Sequence, residues 1–138
     1  MRWRIMETKT FSVRTGARSQ MIDITEKVRS AVRESGVTDG IATVFVPHTT
    51  AAVTINENAD PDVERDILAE LDRVVPWEDG YRHFEGNAAA HIKASMFGAS
   101  EQIIIENGRL VLGTWQGVYF CEFDGPRNRK FLVKVTEE

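Results

Sequence analysis

The sequence predicts an α+β fold, a single compact domain with antiparallel-rich, sandwich-like sheets and about three helices. Three observations carry this expectation. Apolar residues at helical spacing cluster in the first two thirds of the chain, strand-like alternation takes over from Gln102, and Asn107-Gly108 joins two of the late strands. At 138 residues the chain is about one domain long, and no repeat, linker or low-complexity segment divides residues 1–138.

The elements follow in order. Glu7 to Arg14 (ETKTFSVR) is rich in strand formers and reads as an opening strand. Asp23 then begins D-I-T-E, a capping-box pattern, with Ile24, Val28, Ala31 and Val32 at helical spacing and Gly36 just past the end. Ile41 to Val46 is a short apolar run that reads as a buried strand, and Ala52 to Ile55 begins another after the His48-Thr49-Thr50 corner. Asp60-Pro61-Asp62 marks a second helix start, with Asp60 as cap and Pro61 in the first turn; Val63, Ile67, Leu71 and Val74 follow on one face. A loop from Pro76 to Tyr81 leads to Asn87, the expected cap of a third helix through AAAHIKASMF to Gly98. The hairpin QIIIE-NG-RLVL comes next, then strands over Trp115 to Phe123 and Lys130 to Thr136, separated by the turn D-G-P-R-N.

Composition narrows the function classes. A hydrophobic fraction of 42% and a charged fraction of 28% are those of a globular protein. No apolar run approaches the ~20 residues that span a bilayer, and the start MRWRIMETKTF lacks the apolar stretch of a signal peptide. The expected location is therefore the cytoplasm, with no membrane partner. With 17 basic against 21 acidic residues the net charge is −4, which offers a polyanion no long-range attraction, so nucleic acid is not expected as a partner. The single cysteine, Cys121, lies in the alternating run WQGVYFCEF and reads as structural rather than as a catalytic thiol.

Three polar clusters remain. In YRHFEGNAAAH, residues Tyr81, Arg82, His83, Glu85 and Asn87 gather donors and acceptors before a helix N-terminus, a setting that favours an anion. His91 follows His83 by eight residues (91 − 83 = 8), which is not the i, i+4 spacing of two metal ligands on one helical face. A capped helix with surface histidines explains the same residues. In the second cluster, His48 ends an apolar strand and the hydroxyls of Thr49 and Thr50 suit phosphate oxygens. Asn56 and Glu57 there suit magnesium or a substrate, whereas Asp60 is explained by capping. The third cluster, Gly113-Thr114-Trp115-Gln116-Gly117, interrupts the strands. It reads either as a bulged strand with a core tryptophan or as a place where Gln116 lines a pocket and Trp115 packs a subunit contact. Trp3, Trp77 and Trp115 all read as exposed and suited to buried contacts between subunits.

Taken together, HTTAAVTINENADPDV, EGNAAAHIKASMFG and SEQIIIENGRLVLGTWQGV resemble the YjbQ family, whose members are described as secondary thiamine-phosphate synthases. The resemblance runs from about Phe11 to near the C-terminus. It includes the spacing from Ser100 through Gly108 to Gly113-Thr114-Trp115-Gln116. It implies a compact α+β fold, a homotrimer, and a reaction that joins an aminopyrimidine-methyl diphosphate to a thiazole phosphate with release of diphosphate. Such a reaction calls for magnesium and for cationic donors to the leaving group, but not for a strong protein nucleophile. Within that resemblance His48, His83 and His91 are expected to bind phosphate or a metal, Arg82 to pair with diphosphate, and Glu57 or Glu85 to hold a metal ion or the pyrimidine amine. Two other readings fit the same residues. One is a phosphate-ester hydrolase in which the histidines hold zinc or another divalent metal; the other is a non-catalytic binding module for a small phosphorylated molecule.

Overall fold

A computed structural model describes the backbone of residues 4, 5 and 7–138 and the side chains of residues 7–138. Trp3 lies outside the described residues. The described chain forms nine strands and three helices: β1 (Arg4–Ile5), β2 (Lys9–Arg14), β3 (Gln20–Asp23), α1 (Thr25–Ser35), β4 (Gly40–Phe45), β5 (Ala51–Glu57), α2 (Pro61–Val74), α3 (Ala88–Phe97), β6 (Ser100–Glu106), β7 (Arg109–Leu110), β8 (Gln116–Glu122) and β9 (Asn128–Glu137). This is the α+β architecture that the pattern predicts.

Two antiparallel sheets stack. The larger runs β1-β9-β4-β6-β7, with β2 also paired to β9; the smaller runs β3-β8-β5. Long β9 accommodates both N-terminal strands on one edge, β2 opposite Asn128 to Val133 and β1 opposite Thr136 and Glu137. Strand alternation then assigns the faces. On β8, Val118 and Phe120 join the core shared with β4, β6, β9 and α1, while Tyr119 and Cys121 join a second core with Leu71 of α2 and Ala90 and Ala94 of α3. The layers are thus the large sheet, the small sheet and α2 with α3, while α1 packs into the core that the sheets share; β8 is apolar throughout its middle because both of its faces are covered.

Local chemistry explains most boundaries. Asp60 Oδ1 accepts the Asp62 N–H at 2.9 Å and Pro61 opens α2. Gly36, in the left-handed region at φ 69°, closes α1. Asn107 and Gly108 both take positive φ, 53° and 74°, which is the conformation a two-residue hairpin turn requires.

Several expectations need correction. β3 is absent from the sequence reading, because four residues without clean alternation carry little strand signal; it forms by pairing with β8. The run RLVL is a strand only over Arg109–Leu110. Asp23 supplies no reciprocal capping box: its Oδ1 accepts the Thr25 N–H at 2.9 Å, but Glu26 pairs with Arg29 instead. Val74 is exposed, and Val75, one residue past α2, is buried in its stead. Trp77 is half-buried against the second core, with the Arg18 guanidinium 4.2 Å above its ring. Asn87 precedes α3 but makes no side-chain cap bond: its Nδ2 donates to Asp124 Oδ2 at 2.9 Å, and its Oδ1, the atom a cap would use, bonds nothing.

Candidate functional site

The histidines converge at one edge of the small sheet. β4 ends at Phe45, and the chain passes through Val46 and Pro47 to His48 before β5 begins at Ala51. Residues Gly98 and Ala99, between α3 and β6, fasten to both sides of that corner. Ala99 O accepts the Val46 N–H at 2.8 Å and Gly98 O accepts the Val53 N–H at 3.2 Å. Gly98 has φ 99° and ψ 161°, a conformation open essentially to glycine alone. The crossing draws the end of α3 against the histidine corner.

Between them lies a cleft of about 510 Å³, lined by His48, Thr49, Ala51, His91, Ala94, Ser95, Gly98 and Ala99. Its size lies within the ~300–1,000 Å³ of small-molecule sites. Alanine and glycine form much of its wall, so the two imidazoles and the Thr49 hydroxyl are its principal polar groups; the Ser95 hydroxyl also faces it but donates its proton to His91 O at 2.9 Å. His83 stands beside it, its ring edge-on to His91 at 5.2 Å between centroids. Glu85 Oε1 is 3.7 Å from His83 Nε2. Phe84, 93% exposed, projects from the same turn, and Ile92 and Met96 on the outer side of α3 line an adjoining groove with His91 and Ser95.

His48 is held in one state. Its Nε2 accepts the backbone N–H of Lys130 at 3.0 Å, which leaves the proton on Nδ1. Burial, followed by the nearby Arg129 guanidinium, holds its pKa below the ordinary 6.5. His48 is therefore a neutral donor rather than a cation at neutral pH.

Beneath this corner the two sheets are joined by an ion pair. Arg129 of β9 donates from Nε to Glu122 Oε1 at 2.8 Å and from Nη2 to Oε2, and both side chains are buried. Thr15 Oγ1 donates to Glu122 Oε1 at 2.7 Å, and Asp124 N–H donates to Oε2 at 3.0 Å. Burial pushes the Glu122 carboxyl up, but the bonds from Arg129, Asp124 and Thr15 outweigh it and hold the group below its ordinary range. The Arg129 Nη2 also donates to Thr50 Oγ1 at 2.8 Å. Thr50 is thus turned inward, and its hydroxyl belongs to this network rather than to the cleft.

The other sequence-selected residues distribute as follows. Arg82 is exposed and makes no ion pair among the described residues. Asn87 points to Asp124, and its buried Oδ1 has no hydrogen-bond partner. Asn56, Glu57 and Gln116 sit at the far end of β5, where Glu57 is the register partner of Gln116. At ~3.3 Å per residue, seven-residue β5 puts Glu57 about 20 Å from the histidine end. Asn56 Oδ1 accepts the Glu57 N–H at 2.7 Å, and Gln116 Oε1 accepts the Gly113 N–H at 2.8 Å. Trp115 occupies a turn and is 63% exposed, so the core-tryptophan alternative is overturned. What approaches Gly117 closely is Asn58, whose Nδ2 would lie 2.3 Å from an added Cβ.

Among the described residues, no three histidine, cysteine or acidic side chains are placed to hold a metal ion. The expected set of His48, His83 and His91 does not fit zinc or another divalent ion within one chain, because Nε2 of His48 is already committed to Lys130. Cys121 is buried, and burial pushes its thiol up to about 12, which keeps it protonated and inert. Sequence reasoning missed Ser95, Arg129 and Glu122. Ser95 was detectable from its i, i+4 relation to His91 on α3, whereas the ion pair joins different sheets and leaves no local signal. No helix among the described residues is long and apolar enough to cross a membrane.

Comparison with known proteins matches residues 9–138 to the model of the UPF0047, YjbQ-like family. UPF0047 protein YugU of Bacillus subtilis is 57% identical over 128 residues, covering 92% of this chain and 97% of that protein. A crystal structure of a YjbQ/UPF0047 family protein from Clostridium acetobutylicum is 64% identical, with TM-score 0.91, covering 92% of this chain and 98% of that one. A YbjQ-like protein of unknown function from Sulfolobus solfataricus, 32% identical, superposes with TM-score 0.94 over 99% of this chain and 100% of that one.

Proposed function

The chain belongs to the YjbQ-like UPF0047 family, and from that premise we propose that its histidine cleft binds a small phosphorylated molecule and transfers a group from it. The observation that carries the reading is that His48 and His91, 43 residues apart (91 − 48 = 43), line one cleft with two hydroxyls. Imidazole N–H and hydroxyl groups donate to phosphate oxygens, and the small walls leave room for a ring.

The specific reaction proposed is thiamine-phosphate synthesis. The bond between the pyrimidine methylene and the diphosphate oxygen breaks, the thiazole nitrogen bonds to that methylene, and diphosphate departs with the electron pair. His48 would donate through Nδ1, His91 and the Thr49 hydroxyl would complete the oxygen contacts, and Arg82 would approach from the turn before α3. Such donors act by meeting charge that grows on the leaving group. None of these roles requires a protein nucleophile or a protein-held metal.

The proposed assembly is a homotrimer. It rests on the family resemblance; within one chain Glu57 and Gln116 cannot touch the ligand of the histidine cleft, so they would join the site only if it is completed between copies. Light scattering after size exclusion tests the assembly.

Purified protein supplied with the aminopyrimidine-methyl diphosphate, the thiazole phosphate and magnesium is expected to form thiamine phosphate. His48→Gln and His91→Ala should each slow it at least tenfold. Equal rates for wild type and both variants would defeat the proposal. Ligand binding that is lost in these variants, with no product from the wild type, would leave a binding module in its place.

A further inference from the structure

A second cleft, of about 530 Å³, opens between α1 and the β6–β7 hairpin, lined by Arg29, Val32, Arg33, Asn107, Gly108, Arg109 and Leu110. It is remote from the histidines. β6 carries Ala99 of the histidine cleft just before its start and Asn107 of this cleft just past its end, so the strand's seven residues, about 20 Å, separate them.

The charge here is unusual for an acidic chain. Arg29 and Arg33 stand four apart on α1 and so share a face, and Arg109 meets them from the hairpin. Elsewhere exposed Arg65, Arg73 and Arg127 each pair with a carboxylate three residues away, while Arg14, Arg18 and Arg82, also without an ion pair among the described residues, stand outside this cleft. In the cleft only Arg29 does so, with Glu26 at 2.8 Å. Among the described residues Arg33 and Arg109 have no carboxylate partner. Glu106, the register partner of Arg109, makes no ion pair with it, and Glu34 is taken by Lys9 at 2.8 Å. The last turn of α1 favours a cation at Arg33, but that accounts for neither Arg109 nor the presence of three arginines on one cleft. Like charges at this spacing cost stability unless something neutralises them.

The frame is also fastened by backbone bonds. Gly108 N–H donates to Thr38 O at 2.9 Å, and Val111 N–H donates to Ile104 O at 2.8 Å, which ties the hairpin to the segment after α1 and to its own strand. Val32 and Leu110 supply an apolar floor beneath the guanidinium groups.

We propose that this cleft is a second binding site, for a small molecule held through a phosphate or diphosphate group. Guanidinium forks match such oxygens in pairs, and two unpaired forks with a third beside them suit a group of two or more negative charges. The chain's net charge of −4 opposes a long polyanion, so the ligand is a small molecule whose body rests on Val32 and Leu110.

Inorganic diphosphate is the probe, followed by amide chemical shifts so that this cleft is read separately from the histidine cleft. The amides of Arg33, Asn107, Gly108 and Arg109 should shift and saturate. In Arg33→Ala/Arg109→Ala the same amides should saturate at least tenfold later, while Arg33→Lys/Arg109→Lys should fall between. Both pairs are exposed, and unchanged spectra elsewhere report an intact fold. Absence of these shifts at millimolar diphosphate, or equal affinity in the double alanine variant, would overturn the proposal.

Discussion

The backbone N–H of Lys130, on the long strand of the large sheet, donates to Nε2 of His48 across 82 positions of sequence. That bond selects the tautomer of a residue whose position depends on the opposite side of the sandwich. Because burial and Arg129 lower its pKa, His48 should titrate below 6.5 in the folded protein, as followed by its imidazole resonances. The sign follows from linkage. The neutral form is favoured on folding, so this contribution is complete above pH 6.5 and is lost as pH falls through the folded pKa. A His48 titration at or above 6.5 would contradict the geometry.

The Glu122–Arg129 pair gives an asymmetric expectation. Both side chains are buried, and each is the main partner of the other. Arg129→Met should cost about 3–5 kcal/mol in urea unfolding, because it strands a buried carboxylate. Replacing both by Met should cost much less, since no charge is left behind. Glu122 also sets an acid limit. Its pKa is held below the ordinary 4.5, so its contribution is complete above that value and fades as pH falls through the lowered pKa.

Both relationships bear on how much could be read from the sequence. Asp60-Pro61 and Asn107-Gly108 act through their immediate neighbours, so their helix start and hairpin were legible. His48 and His91 were legible as polar residues in apolar or small-residue surroundings, but not as neighbours. Their meeting depends on how Gly98 and Ala99 cross between β4 and β5, which is a property of sheet order. Thr50 misled for the same reason: its hydroxyl looks available beside Thr49 until β9 brings Arg129 against it. Asn87 misled because its side chain is anchored through Nδ2 to Asp124, in the loop after β8, and its Oδ1 accepts no N–H of α3.

Gly98 makes the histidine cleft sensitive to one backbone position. Nothing lies within 4 Å of an added Cβ there, so Gly98→Ala would meet no clash, only the strain of φ 99°. A cost of about 1–3 kcal/mol follows from that strain alone. The bonds of Gly98 and Ala99 to Val53 and Val46 should loosen with it. Hydrogen exchange at the Val46 and Val53 amides should therefore quicken more than exchange in α1.

Lys93 tests how α3 is held beneath the cleft it helps to form. It lies on the buried side of α3, 2% exposed, and its Nζ donates to Asp72 Oδ1 of α2, whose side chain is largely exposed. The two partners therefore differ in what their loss leaves behind. Asp72→Asn keeps the ammonium group buried but removes its only anionic partner among the described residues. Lys93→Met removes the charge itself and fills most of the same space with an apolar chain. Solvent at Asp72 weakens the pair relative to a fully buried one, so the loss for Asp72→Asn should be about 1–3 kcal/mol. Lys93→Met should lose less in the same urea titration. If Lys93→Met proves the more damaging, the aliphatic packing and further contacts of Lys93, rather than its bond to Asp72, hold α3 against α2.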